Sequence, residues 1–241
     1  MAGYMNDTMN SIDISFDFHS DTPAGKDPDT YSPTLRRYHK ILWSKPLPNG
    51  ALFDLDLTLP KYLHHNSALG EFVLSSDAIG HTYSRWKRTA HIVEQFPPEK
   101  INAFFSLCST IGAYVIFPAK RIDNKMTING ARGVNPRIRD RFDLTLECIR
   151  CLYSGENSPL TEPLARYSEF FSLFKDFRGY VEFFLLQDLV EENCTAIKPL
   201  LPFSGFDRQP QPCTVEEYKS YMKGMMDFVR ARNNRVLESV R

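Results

Sequence analysis

The first regular pattern along the chain begins at Ser11, where apolar and polar residues alternate. The apolar positions are Ile12, Ile14, Phe16 and Phe18, and the polar positions between them are Asp13, Ser15, Asp17 and His19. A period of two predicts a strand with one buried face. The polar residues 1–10 predict a loose leader before this strand. Residues 20–31 lack an apolar period and predict an extended loop after it.

Helix starts are marked by a repeated pair, a good N-cap residue followed by proline. The pairs are Ser32-Pro33, Asn135-Pro136 and Ser158-Pro159, and they predict helices over 33–43, 136–153 and 159–175. Gly155 predicts the end of the second helix. Two more helices are predicted over 79–95 and from residue 98. Thr214 with Glu217 predicts a capped C-terminal helix.

Further strands are predicted in the first half of the chain, and the last two are expected to form a hairpin around Asp123-Asn124. Their ranges are 51–57, 70–75, 111–117 and 125–129. This segregation predicts an α+β fold, with a small antiparallel sheet mainly from the N-terminal half packed against a helical C-terminal half. Residues 11–241 are expected to form a single domain. Eight aromatic residues between Tyr167 and Phe184 predict the central core helix, bent near Gly179.

Composition supports a folded protein and excludes several functional classes. The chain is 42% hydrophobic and 24% charged, with a formal net charge of zero, so it has no overall field that would favour nucleic acid or a membrane. The apolar stretches are too short to span a membrane, and no secretion signal is visible. Five cysteines without paired spacing argue against a disulfide framework. A cytoplasmic protein is expected, and Cys148 and Cys151 are interpreted as buried reduced thiols.

One candidate metal site lies at the end of the first predicted strand. Alternation places Asp17, His19 and Asp21 on one face, and an Asp-x-His at a strand end looks like the first motif of metal-dependent phosphoesterases. The glycine-bounded motifs that supply further ligands in those enzymes are absent, and His64-His65-Asn66 is the nearest substitute. The alternative interpretation is a solvated polar strand face.

The stronger candidate is a basic segment that leads into the helix predicted from residue 136. Residues 118–141 carry seven basic and two acidic side chains, a net charge of +5. Cations in a first helical turn oppose the helix dipole by about 0.3–1 kcal/mol each. A bound anion would compensate for this cost. The predicted ligand-binding residues are Arg132, Asn135, Arg137, Arg139 and Arg141.

The alternative is that these arginines pair with acids of the same chain. Residues 1–31 carry six acidic side chains and one basic, and residues 156–195 carry eight acidic and three basic, so each segment has a net charge of −5. Either segment could neutralise the arginines, since charged clusters are often structural.

Three segments resemble a family of uncharacterised bacterial proteins. They are Ser32 to Lys40, Arg141 to Arg150, and Phe183 to Val190. The resemblance runs from about Ser11 to the last helix and implies a bacterial, cytoplasmic protein with one domain. The family has no assigned activity, so the resemblance transfers no catalytic residue and no cofactor.

The leading functional hypothesis is a protein that binds a phosphate-bearing ligand, either a nucleotide or a nucleic-acid segment, at the basic segment. The second hypothesis is a protein–protein interaction module whose oppositely charged segments pair with a partner chain. The third is a metal-dependent hydrolase that uses Asp17, His19 and Asp21. The sequence identifies no cofactor and does not decide whether the protein is an enzyme.

Overall fold

The computed structural model of the protein describes residues 11–240, and the predicted leader at residues 1–10 lies outside the described residues. The helices are α1 (Pro28–Tyr31), α2 (Pro33–Trp43), α3 (Ala90–Val93), α4 (Pro98–Leu107), α5 (Ile128–Val134), α6 (Phe142–Ser154), α7 (Thr161–Ala165), α8 (Ser168–Ser172), α9 (Phe177–Phe183) and α10 (Val215–Ser239). The strands are β1 (Lys45–Pro46), β2 (Leu52–Phe53), β3 (Leu63–Ser67), β4 (Gly70–Ala78) and β5 (Tyr114–Pro118).

The strands form two antiparallel sheets, one of β1 and β2 and the other in the order β3-β4-β5. β3 pairs with β4 as far as Leu74, and β5 pairs with β4 from Leu74 to Ala78. Among the described residues, no strand lies beside Ser75–Ala78 on the β3 side, and we refer to this segment as the free edge of β4. The predicted α+β class is confirmed, with the sheets in the N-terminal half.

The two best-marked helices are found where the sequence predicts them. Ser32 caps α2, with its hydroxyl accepting from the Leu35 backbone N–H at 3.0 Å. Thr214 caps α10 by accepting from the Glu217 backbone N–H at 3.1 Å. α10 buries an apolar face that includes Tyr218, Tyr221, Met225, Val229 and Val236, and it packs against α3, α4 and the 3-10 turn of residues 111–113. No helix within residues 11–240 is long and apolar enough to cross a membrane.

The strand predicted from Ser11 is wrong, because its aspartates build turns. Asp13 accepts hydrogen bonds from the backbone N–H and the hydroxyl of Ser15, at 2.8 and 2.6 Å. Asp17 accepts from the backbone N–H of His19 at 2.9 Å. Such local side-chain acceptors compete with strand pairing. The alternation still indicates burial, since Phe18 is completely buried.

The helix predicted over 136–153 begins at Phe142 instead, and Asn135 does not cap it. Asn135 ends α5, and its side-chain oxygen accepts from the backbone N–H of Arg137 at 2.9 Å, which closes a turn. Arg139 and the residue after it then take left-handed backbone conformations, with φ of +45° and +60°. A left-handed pair cannot continue a right-handed helix. The helix ends at Gly155 in a left-handed conformation, as predicted.

Other predicted elements are shortened or replaced. The hairpin around residues 123–124 is wrong, because α5 begins where its second strand was expected. The helix predicted over 79–95 is reduced to α3, and the helix predicted over 159–175 is divided into α7 and α8. The aromatic segment 167–184 forms core as expected, but it is broken at Lys175, whose φ is +70°. The strand β3 was not predicted.

Candidate functional site

Arg132, the first of the predicted binding residues, is completely buried in α5. Its guanidinium forms an ion pair with the carboxylate of Asp77. It also donates to the carbonyl oxygen of Asp140 at 3.1 Å and to the hydroxyl of Thr145 at 3.2 Å. The Asp140 carboxylate, 4.0 Å away, adds a second negative charge. The donors of Arg132 are therefore engaged by groups of the same chain.

Arg141 is also buried, at the residue before α6. Its guanidinium forms a two-point contact with the buried carboxylate of Asp143, with Nε 2.9 Å from Oδ1. A further hydrogen bond of 2.6 Å runs from Nη1 to the Pro210 carbonyl oxygen. Burial disfavours the charge of Arg141, but Asp143 outweighs this effect, so the pKa of Arg141 lies above its ordinary value.

Internal pairing of the basic segment therefore occurs, but mostly with other acids than the sequence indicated. Asp77, Asp140 and Asp143 lie outside both acidic segments that were expected to neutralise the arginines. One pair, between Lys125 and Glu162 at 2.6 Å, does involve the segment 156–195.

Arg137 and Arg139 lie outside the buried cluster. The Arg137 side chain is 59% exposed and lies 3.5 Å from Asp207, which is almost fully exposed. The Arg139 guanidinium lies over the ring of Trp86, 5.8 Å from its centroid. The Tyr83 hydroxyl donates to the Arg139 carbonyl oxygen at 3.0 Å and holds the turn against the segment that contains Trp86. The structure thus separates these two arginines from Arg132 and Arg141.

Three segments meet at this surface. Arg139 contacts the segment of residues 84–88 through Trp86, and Arg137 contacts the loop of residues 207–209 through Asp207. Residues 84–88 and 207–209 also contact each other, since Arg88 donates to Gln209 at 3.5 Å. We call the cationic residues of these segments the basic face: Arg85, Lys87, Arg88, Arg137, Arg139 and Arg208.

The free edge of β4 carries a polar cluster that the sequence analysis missed. Asp29, from α1, accepts from the Ala78 backbone N–H at 3.2 Å. Asn129, from α5, donates to the Ser76 carbonyl oxygen at 3.4 Å. These side chains occupy the backbone positions that a further strand would bind. The signal in the sequence is the polar second half of β4, Ser75 to Asp77, which follows the apolar residues Phe72 to Leu74.

The groups at this edge titrate unusually. Burial, together with the nearby charge of Asp27, raises the pKa of Asp29 to about 7. Burial lowers the pKa of His81, against the opposing charge of Asp140. Within residues 11–240, Asp29 Oδ1, His81 Nε2 and Asn129 Oδ1 are buried without a hydrogen-bond partner. A carboxyl group with a pKa near 7 can gain or lose a proton near neutral pH, which applies here to Asp29.

A buried serine and histidine lie close together at the same strand, but they do not form a catalytic pair. His39 Nε2 is 2.9 Å from the Ser76 hydroxyl, and the Trp43 indole N–H donates to His39 Nδ1 at 3.0 Å. Indole nitrogen is only a donor, so Nδ1 is the acceptor and Nε2 carries the proton of the neutral ring. Burial and the charge of Arg232 lower the pKa of His39 to about 3, which keeps it neutral. His39 therefore donates to Ser76 and cannot take its proton.

The three candidate metal ligands do not converge. Asp17 Oδ1 contacts His19 Nδ1 at 3.0 Å. Asp21 accepts from the Ser32 hydroxyl at 2.6 Å and from the Thr34 backbone N–H at 3.0 Å, so it supports the start of α2. The prediction that these residues share a strand face is wrong, because the strand is absent. Across residues 11–240, no group of three or more His, Cys, Asp or Glu side chains is arranged to hold a metal ion.

The cysteines behave as the sequence indicated. All five are free thiols, and Cys148 and Cys151 are buried in α6. Burial raises the pKa of Cys148 to about 12 and that of Cys151 to about 11. Thiols in this state are poor nucleophiles at neutral pH.

Comparison with known proteins gives one match. No curated protein and no solved structure matches the chain. The model of a family of unknown function, DUF6994, matches residues 12–236, which is most of the chain. The resemblance noted in the sequence is confirmed at this level. The chain belongs to this family of unknown function (DUF6994).

Proposed function

We propose that the protein binds a phosphate-bearing ligand, a nucleotide or a nucleic-acid segment, on the basic face. The single observation that carries the proposal is the placement of Arg139 over Trp86 in a turn that also presents Arg137. Arginine beside a partly exposed aromatic ring is a combination that binds phosphates and stacked bases. The proposal narrows the set of binding residues predicted from the sequence to Arg137 and Arg139. Arg132, Asn135 and Arg141 support the turn and do not contact the ligand.

The local charge supports this assignment. Residues 84–88, 137–139 and 207–209 carry six cations and one acid, Asp207, although the whole chain has no net charge. Arg85 and Lys87 form no ion pair with any residue of the described range, while Arg208 pairs with Glu217. An uneven distribution of this kind creates a local field that attracts polyanions.

The buried arginines contribute by fixing the turn. Arg132 binds the carbonyl oxygen of Asp140, and Asn135 both closes the turn onto Arg137 and donates to the Pro159 carbonyl oxygen at 3.1 Å. A rigid turn presents Arg137 and Arg139 without a large ordering cost on binding. The proposed binding surface therefore lies on a turn that buried arginines and their partners hold in place.

The two tryptophans provide a direct experiment. Trp43 is completely buried and Trp86 is partly exposed, so 5-fluorotryptophan labelling gives one ¹⁹F signal for the core and one for the basic face. Titration with a single-stranded oligonucleotide, with ATP and with inorganic phosphate should shift the Trp86 signal and leave that of Trp43 in place. Added salt should weaken binding, most strongly for the oligonucleotide. The three probes separate nucleic acid, nucleotide and simple anion.

Variants sharpen this test. Arg139→Gln and Arg137→Gln should each weaken binding without changing the melting temperature. Arg230→Gln is the matched control, because the Arg230 side chain on α10 is 55% exposed, close to the 59% of Arg137. An unmoved Trp86 signal with all three probes at low salt would refute the proposal. So would an equal loss of binding in the control.

The proposal also covers the domain organisation and the cellular location of the protein. We treat residues 11–241 as one domain, supported by a hydrophobic core that runs from Ile12 to Val236. We also place the protein in a bacterial cytoplasm, a reducing compartment compatible with five free thiols.

We do not propose the metal-dependent hydrolase, since Asp21 is engaged at the start of α2. Self-association in place of ligand binding would instead favour the interaction module.

A further inference from the structure

A cleft of about 480 Å³ lies between the β1 segment and the chain around α9, and it takes no part in the basic face. Lys45 lines this cleft together with Pro46, Pro48, Phe174 and Phe183. The Lys45 ammonium donates to the Phe183 carbonyl oxygen at 2.7 Å. Among residues 11–240, no carboxylate lies within ion-pair distance of it.

A second cation, which is fully buried, lies close to the partly buried Lys45. Lys45 Nζ is 5.0 Å from the centroid of the Trp43 ring, and the Arg232 guanidinium is 5.8 Å from the same centroid. Arg232 is completely buried and donates to backbone carbonyl oxygens, with no carboxylate of the described chain paired to it. Two cations therefore share one aromatic ring without a counter-ion.

This environment favours the neutral form of the Lys45 amine. Burial, and in second place the charge of Arg232, lowers the pKa of Lys45 to about 8. An ordinary lysine has a pKa of about 10.4, so far more of Lys45 is neutral at neutral pH. Lysines in a dry pocket beside another cation are the ones that act as nucleophiles in proteins.

The cleft also offers charge for an anionic ligand. Lys175 and Arg178 line it beside Lys45. The Asp176 carboxylate also lines the cleft, and it caps α9 by accepting from the Gly179 backbone N–H at 2.8 Å. Glu182 lies 3.9 Å from Arg178, a loose contact between exposed side chains. Three cations thus line the cleft with two carboxylates, which leaves one positive charge in excess.

We propose that Lys45 is a nucleophilic amine, and that the cleft takes a small aldehyde or ketone that carries a carboxylate or phosphate group. The amine nitrogen attacks the carbonyl carbon, and a carbon–nitrogen bond forms. Both amine hydrogens leave with the carbonyl oxygen as water, which gives an imine. The step is reversible and requires no oxidant or reductant. It is independent of ligand binding on the basic face.

The test uses the full chain with glyoxylate as probe and cyanoborohydride to trap the imine, followed by peptide mass spectrometry. At pH 7, Lys45 should be modified about tenfold faster or more than Lys219, an exposed lysine of α10. The rate at Lys45 should reach half its maximum near pH 8. Equal rates at the two lysines, or a rate at Lys45 without a half-maximum near pH 8, would overturn the assignment of Lys45.

A second arm tests the ligand class. Acetaldehyde has the carbonyl group of glyoxylate without its carboxylate, so Lys45 should prefer glyoxylate. Lys175→Gln and Arg178→Gln should reduce that preference and leave the acetaldehyde rate unchanged. Lys45→Arg keeps the charge over the rings and should abolish modification at this position, with an unchanged circular dichroism spectrum. A wild-type protein that shows no preference for glyoxylate would overturn the anionic part of the proposal.

Discussion

The turn between α5 and α6 and the region around Trp43 both bury arginine, but they compensate its charge differently. Arg132 and Arg141 each face a carboxylate, from Asp77 and Asp143 respectively. Arg232 faces three backbone carbonyl oxygens, and one of its terminal nitrogens has no acceptor among the described residues. In the first region, carboxylates neutralise the charge of the arginines. Around Trp43, only the dipoles of backbone carbonyl groups stabilise the charge of Arg232.

The consequence of this difference is seen in the pKa values. Asp143 raises the pKa of Arg141, whereas burial lowers the pKa of Arg232 to about 9. Burial also lowers the pKa of Arg132, but there the charge of Asp140 opposes the effect of burial. The charge of Arg232 also affects a neighbouring side chain, because it contributes to the lowered pKa of Lys45. Paired cations are thus structural, while an unpaired one alters the chemistry of the side chains around it.

The largest expected effect comes from breaking a paired site. Arg132→Met should lower the free energy of unfolding by about 3 kcal/mol or more, because it leaves the Asp77 carboxylate without its partner in a partly buried place. Urea denaturation measures the loss. Adding Asp77→Asn should recover part of the stability. An unchanged urea midpoint in the single variant would contradict the comparison.

The second effect concerns a buried acid rather than a buried base. The pKa of Asp29 is about 7 in the folded protein and 3.8 in the unfolded chain, so the folded state holds the proton more tightly. Its contribution to stability is full below pH 4, is lost as the pH rises to 7, and changes by about 1.4 kcal/mol per pH unit at most. Relative to wild type, Asp29→Asn should therefore gain stability between pH 4 and 7. A constant difference between the two proteins across this range would rule out the shift.

Removing the unpaired arginine should cost less than removing a paired one. Arg232→Met leaves the carbonyl oxygens of Gly112, Tyr114 and Phe184 unpaired, but it also removes a buried charge without a counter-ion. We expect a loss of about 1–3 kcal/mol in urea denaturation. The pKa of Lys45, followed by NMR of ¹³C-labelled lysine, should rise. A pKa of Lys45 that stays near 8 would show that Arg232 does not influence it.

The smallest effect is expected on the basic face. Arg137→Ala removes a pair between two exposed side chains, and it should change the free energy of unfolding by about 0.5 kcal/mol or less. The same variant should reduce ligand binding on the basic face. A loss of stability comparable to that of Arg132→Met would place Arg137 among the structural arginines.

Some of the fold was predictable because its determinants are local. The N-caps at Ser32 and Thr214 and the stop at Gly155 each depend on residues within one turn of the chain, so α2, α10 and the end of α6 were found. The strand at residues 11–19 failed because Asp13 and Asp17 fold back onto their own backbone. The pattern of burial was right where the secondary structure was wrong.

The candidate site was predicted less completely, because its partners are distant in sequence. The cluster of arginines was visible, but Asp77 lies 55 residues from Arg132, and no local pattern indicates this pair. Asn135-Pro136 has the form of a helix start, yet the side chain of Asn135 closes a turn instead. The free edge of β4 was also hidden, since it depends on how far β3 extends along its neighbour.

The contacts that the Arg141 guanidinium makes with Asp143 and Pro210 have a consequence for the order of folding. Arg141 binds the Pro210 carbonyl oxygen, and its partner Asp143 accepts from the Leu200 backbone N–H at 2.9 Å, so contacts 69 and 57 residues apart in the chain meet at the first turn of α6. Closing loops of this length costs entropy before the contacts can form. An isolated peptide of residues 128–154 would therefore retain the helical tendency of α6 but lose the turn before it. The surface that presents Arg137 and Arg139 is completed only when the segment of residues 199–212 has docked, late in folding.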